Sequence, residues 1–125
     1  MNILFIGDIV GSPGREAVKK IVPLLKQEYG IDFVIANAEN AAGGSGIIGR
    51  VADELFDAGV NVLTSGDHIW KKKEIFELID TESRILRPLN FPIGVPGRGW
   101  NIYNINSAVK IGVLNVQGRV FMQAL

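Results

Sequence analysis

Cysteine is absent from the chain and histidine occurs once, at position 68. The first absence excludes disulfide frameworks, thiolate nucleophiles and every thiolate metal site. The second leaves carboxylates and amides as the main candidate ligands, so any metal would be held chiefly by oxygen. Charge of one sign is also missing: 13 basic residues balance 13 acidic ones. With no net positive field, a duplex nucleic-acid partner is not expected. No apolar run approaches the roughly 18 to 20 residues needed to cross a bilayer, so no membrane partner is expected. The opening run is cut off by Asp8 without a basic n-region or a cleavage site, and reads as a strand and not as a signal peptide. A cytoplasmic protein is the expectation.

The 125 residues suffice for a single domain with a real core, since a chain of this size buries roughly two-thirds of its unfolded surface. Ile3 to Ile6 and Phe33 to Ala36 are short continuous apolar runs. Between them Val18, Ile21, Val22 and Leu25 recur at helical spacing, which predicts a helix over 14–28 with Ser12 as N-cap, Pro13 at its first position and Gly30 at its end. A helix over 48–58 stopped by Gly59, a strand over 60–64 and a helix over 72–79 continue the β-α-β pattern of a parallel sheet covered by helices. Beyond Arg87 the prolines at 88, 92 and 96 and the glycines at 94, 97, 99 and 112 mark irregular chain. The runs 100–105 and 109–116 then alternate like an antiparallel hairpin. No repeat or low-complexity tract suggests a linker. Leu125 follows an apolar segment with no polar tail, which points to an incomplete domain, truncated on its C-terminal side.

Ligands of parallel α/β sheets bind where loops leave the C-terminal ends of the strands. Those loops hold Asp8, then Glu39 and Asn40, then Asp67 and His68. Taken singly, Asp8 reads as a turn former or cap, Glu39 as a salt-bridge partner, Asn40 as a left-handed turn residue and His68 as a structural histidine. Their joint occurrence at three successive strand ends points instead to a cation or phosphoryl site, with His68 suited to general-acid work. Trp70 reads as a packing residue. Lys71, Lys72 and Lys73 read as a solvated face that opens a helix, or as a phosphate attractor. The loop Gly11-Ser12-Pro13-Gly14 has neither a Walker lysine nor dinucleotide glycine spacing. A serine esterase using Ser12 and His68 is a distant alternative, without an evident acid to complete a triad.

The ordered segments Gly7-Asp8-Ile9-Val10-Gly11-Ser12-Pro13-Gly14, Asn37-Ala38-Glu39-Asn40-Ala41-Ala42-Gly43-Gly44, Gly66-Asp67-His68-Ile69-Trp70 and Asn115-Val116-Gln117-Gly118-Arg119-Val120-Phe121-Met122 resemble the YmdB-like metallophosphoesterases. These are a branch of the calcineurin-like superfamily described as 2',3'-cyclic nucleotide 2'-phosphodiesterases. The resemblance runs from Met1 to Leu125. It implies the N-terminal half of a metallophosphoesterase-type α/β sandwich, and a hydrolase acting on cyclic nucleotides or related small phosphoesters by a two-metal mechanism. It also implies iron or manganese as cofactor: Asp8 with Asn40 on the first metal, Glu39 bridging both, position 67 on the second, and His68 as proton donor. The family has asparagine where this sequence has Asp67, a change that favours cations over a phosphodiester. The family extends well beyond this length and supplies further metal-binding histidines, whereas none follows His68 here. The expectation is therefore an enzyme inactive as this chain alone, exposing an apolar face and prone to form homo-oligomers or to need a C-terminal half. A silent phosphate- or cation-binding assembly module is the competing reading, and a purely structural α/β domain the third.

Overall fold

In the computed structural model, residues 1–118 are described. Strands β1 (Ile3–Ile6), β2 (Phe33–Asn37), β3 (Val62–Thr64) and β4 (Ile85–Leu86) form one parallel sheet in the order β1-β2-β3-β4. Helices α1 (Gly11–Tyr29), α2 (Gly49–Asp57) and α3 (Ile75–Thr81) make the crossovers, and β5 (Trp100–Asn104) pairs antiparallel with β6 (Lys110–Leu114). The mixed α/β architecture expected from the sequence is the one observed. The segment Arg119–Leu125, including the last part of the fourth quoted motif, lies outside the described residues.

Two cores flank the sheet, because successive strand residues point to opposite faces. Val34, Ala36 and Leu63 face the helices and pack with Val18, Val22, Val51 and Leu55. Phe33, Ile35, Val62 and Leu86 face the hairpin, where Val113 is buried and Tyr103 and Ile111 pack beside it. That double cover explains why Phe33 to Ala36 is continuously apolar.

The hairpin does not cover the whole sheet. Ile3 and Phe5 stand in register with Phe33 and Ile35 and so share their face, yet Phe5 is 63% exposed. On the other face, α1 overhangs the free edge of β1 across an open groove of about 360 Å³ lined by Leu4, Ile6, Ile21 and Leu25. Ile21, expected in the core, is therefore 49% exposed. The outer face of the hairpin presents Trp100, Ile102 and Leu114 to solvent. The expected exposed apolar surface is thus present. No described helix is long and apolar enough to cross a membrane.

Several boundaries differ from the sequence expectation. Helix α1 begins at Gly11 with Val10 as N-cap and no side-chain cap, so Ser12 lies inside the first turn. The cause is tertiary: the Gly11 N–H donates to the Asn40 carbonyl at 3.0 Å, and Gly11 sits at φ 55°, where glycine is favoured. Gly30 ends the helix in the left-handed region as expected. Helix α2 starts one residue late, at Gly49, and β3 starts at Val62. The third helix is displaced to Ile75, behind a 3-10 turn over Asp67–Lys71, so Lys72 and Lys73 precede it. Strand β4 has no counterpart among the expected elements. With only two residues, it is too short to show a period.

Helices α1 and α2 are clasped by Glu54, which accepts from Arg15 Nε at 3.0 Å and pairs with Lys19. Its carboxyl is held below its ordinary value of 4.5, first by the Lys19 hydrogen bond and against the effect of burial. A carboxyl with a depressed folded-state pKa stabilises the fold fully above its unfolded pKa and loses that contribution as pH falls through the folded value. Acid unfolding curves should accordingly show stability declining below about pH 4.5, and less steeply for Glu54→Gln. In urea, Leu63→Ala should cost about 2–5 kcal/mol, whereas Phe5→Ser should change stability by less than about 0.5 kcal/mol and reduce self-association in sedimentation velocity. A monodisperse monomeric parent chain would contradict the expected stickiness of the exposed face.

Candidate functional site

The loops leaving β1, β2 and β3 are stitched together through their backbones. Ile9 N–H donates to Asn37 O and Ala38 N–H to Thr64 O, each at 3.0 Å. The side chains singled out from the sequence are thereby brought to one end of the sheet. Asp8 and Asp67 are exposed there, and Glu39, Asn40 and His68 are half-buried.

Asn40 is the hub. Its Nδ2 donates to both oxygens of Asp8, at 3.0 and 2.8 Å, and its Oδ1 lies 2.5 Å from His68 Nδ1. With the amide nitrogen turned to the carboxylate, the amide oxygen can only accept, so His68 carries its proton on Nδ1 in this contact. The other ring nitrogen, Nε2, lies 3.9 Å from Asp67 Oδ2.

Glu39 faces the third loop. Its Oε2 accepts from the His68 backbone N–H at 3.2 Å, and its Oε1 accepts from Asn37 Nδ2 at 3.4 Å. Asn37 Oδ1 in turn accepts the Glu39 N–H at 3.2 Å. Gly66 is what admits the carboxylate so closely: a Cβ at that position would stand 2.5 Å from Glu39 Oε2.

Two positioning groups escape sequence reasoning. Asn115 Nδ2 donates to Ser65 O at 2.7 Å and to Leu86 O at 3.1 Å, pinning the loop that carries Asp67 and His68 to the end of β6. Asn37 aligns Glu39 as described above. Both residues stand within the quoted motifs, but Asn115 meets a partner 50 residues away, which leaves no local trace. Only the alternate spacing of Asn37 and Glu39 offers a local signal.

The arrangement bears on each chemical reading. Ser12 shares no hydrogen bond with His68 among the described residues, and His68 Nδ1 is engaged by Asn40, so no serine–histidine pair forms. Trp70 stacks on Phe76 at a centroid distance of 5.0 Å and lies 6.2 Å from Phe91, a packing role as expected. The donors are oxygen-rich, as a site for hard or borderline cations requires. They nevertheless lie along a line of contacts joined by His68, Asp8 against Asn40 and Glu39 against the loop over 66–68. Among the described residues no three acidic or histidine side chains gather closely enough to hold a metal ion. The described residues would supply part of a metal centre and do not by themselves complete one.

Comparison with known proteins agrees with this fold. The chain is 47% identical over 125 residues to the 2',3'-cyclic-nucleotide 2'-phosphodiesterase of Bacillus subtilis (strain 168), of which it covers 47%. A crystal structure of a hypothetical protein from Thermus thermophilus superposes with a TM-score of 0.91 at 40% identity, over 99% of this chain and 48% of that one. That of a novel phosphatase from Mycoplasma pneumoniae gives a TM-score of 0.85 at 35% identity, over 94% of this chain and 43% of that one. The chain thus spans about half the length of the curated relatives it matches. Residues 4–125 match the family model described as YmdB-like protein, and the chain belongs to the YmdB-like family.

Proposed function

We propose that this chain carries one part of the active centre of a metal-dependent phosphodiesterase acting on a 2',3'-cyclic nucleotide or a related small phosphoester. The supporting observation is the unbroken line of contacts Asp8–Asn40–His68–Glu39 across three strand exits. The Bacillus relative's described activity supplies the substrate class.

In this reading His68 is the proton donor. Asn40 accepts from Nδ1–H, which fixes the ring orientation, and Nε2 of the doubly protonated ring is the nitrogen that hands a proton to the departing ribose oxygen, leaving the neutral Nδ1–H ring. Asn37, Glu39 and Asn115 hold the ring's own loop in place, Glu39 through the His68 backbone N–H and Asn115 through Ser65 O. Asp8, Glu39, Asn40 and Asp67 are the oxygen donors for transition metals, iron or manganese, with the remaining ligands drawn from outside the described residues. When bound, such ions supply positive charge to the phosphoryl oxygens.

A second reading, a catalytically silent module that takes a cation or phosphate at the same loops, is favoured by the lack of a three-ligand cluster among the described residues. Manganese titrations followed by calorimetry, with turnover of 2',3'-cyclic AMP in parallel, distinguish the two. Asp8→Ala and Glu39→Ala should weaken manganese binding and abolish any turnover, while His68→Asn should keep the metal and lose turnover by about 100-fold or more. Equal loss of metal in all three variants would contradict the division of roles. Metal binding without turnover in the parent chain would support the silent module. Gly66→Ala should displace the Glu39 carboxylate, costing about 1–3 kcal/mol of stability and weakening manganese binding as Glu39→Ala does. A variant with unchanged affinity would remove Glu39 from the ligand set.

A further inference from the structure

Away from the strand-exit contacts, three cations converge on one cavity of about 360 Å³, where Arg15, Arg50 and Lys72 line the wall with Ser12, Gly43 and Val51. Among the described residues no acidic side chain lines it, although the chain holds as many acids as bases. Glu54, outside the lining, partly offsets two of these cations, and Lys72 has no acidic partner among the described residues. Glu54 accepts from Arg15 Nε at 3.0 Å, pairs with Lys19 and stands 3.9 Å from Arg50, so one negative charge is shared among three positive ones. Glu74 accepts from the Gly49 N–H at 2.8 Å.

The cavity is built as well as charged. Arg15 Nη1 donates to Ala41 O at 2.6 Å, which fixes the guanidinium against the glycine-rich loop. The Lys72 stem lies where a Cβ on Gly46 would stand, 2.6 Å from Lys72 Cγ. The Ser12 hydroxyl and the Lys72 ammonium have no hydrogen-bond partner among the described residues. Ser12 belongs to the first turn of α1, which has no side-chain cap. The cavity is tied to Asn40 through the backbone: Asn40 O accepts from Gly11 and Gly44 at 3.0 and 3.1 Å, and their chain neighbours Ser12 and Gly43 line the cavity.

We infer that this cavity is an anion subsite that takes a second, non-scissile phosphate of the substrate, so that the preferred ligand is a nucleotide bearing a phosphate besides the cyclic one. Guanidinium, ammonium and hydroxyl donors around an uncapped helix start match phosphate oxygens. The substrate part of the inference rests on the phosphodiesterase reading, while the anion site stands on the cavity itself.

The test uses isotope-labelled protein without added metal, followed by amide chemical shifts. Inorganic phosphate should move the Ser12, Gly43 and Val51 signals. A 2',3'-cyclic nucleotide carrying a 5'-phosphate should bind about tenfold more tightly than its unphosphorylated counterpart. The advantage should vanish in the double variant Arg50→Ala, Lys72→Ala, whose melting should match the parent because both side chains are exposed. Phosphate that leaves these amides unmoved overturns the anion site. Phosphate that moves them, without any gain from the 5'-phosphate, shows a free-anion site and overturns the assignment to substrate. Phosphate binding here, combined with no 2',3'-cyclic nucleotide binding in calorimetry even after manganese is added, removes the phosphodiesterase reading, and the substrate assignment with it.

Discussion

Asn40 holds the functional end of this protein together. Its backbone carbonyl accepts from the start of α1 and from the glycine-rich loop, its amide nitrogen grips both oxygens of Asp8, and its amide oxygen takes the His68 ring. One side chain and one carbonyl therefore set the relative positions of three loops. A short amide suits this task because it donates at one end and accepts at the other, whereas a carboxylate would repel Asp8 and a lysine could not accept from the ring.

The sheet makes that hub possible. Three parallel strands release their chains at the same edge, and the backbone bonds Ile9 to Asn37 and Ala38 to Thr64 extend the sheet's order into the loops. The buried segments beneath are rigid because both faces of β2 and β3 are covered. Loops built on such strands can hold polar groups at fixed separations without a rigid backbone of their own. Asn115 adds a tie from the hairpin, so the second sheet contributes to the site as well as to the core.

Cover is uneven, and the unevenness has chemical as well as mechanical meaning. The free edge of β1, the Ile3 and Phe5 face and the outer hairpin face are apolar and open, as is the groove under α1. These surfaces lie on the flanks, while the strand-exit end carries the polar side chains. The chain keeps its charges in local arrangements too: acids at the strand exits, cations around the cavity beside the glycine-rich loop, and a mixed clasp at Glu54 between α1 and α2. A net charge of zero conceals that segregation.

The β-α-β order, the antiparallel hairpin and the loop residues Asp8, Glu39, Asn40, Asp67 and His68 were legible in the sequence, because apolar periodicity, glycine stops and polar residues after buried strands are local signals. Family resemblance was legible too, through the order of four motifs and not through any one of them. The start of α1 was not, because a distant carbonyl replaces a side-chain cap there, and β4 was too short to carry a pattern. Nor could the sequence say that Ile21 would lie over an uncovered strand edge. What only the tertiary structure decided was pairing: that Asn40 binds Asp8 and His68 together, that Glu39 turns to the loop over 66–68, that Gly66 leaves room for it, and that Arg50 and Lys72 meet Ser12 across a cavity. Composition and period constrain each residue's own neighbourhood, but a hydrogen bond between residues 32 positions apart, such as Asn40 to Asp8, exists only once the sheet has set its strands side by side.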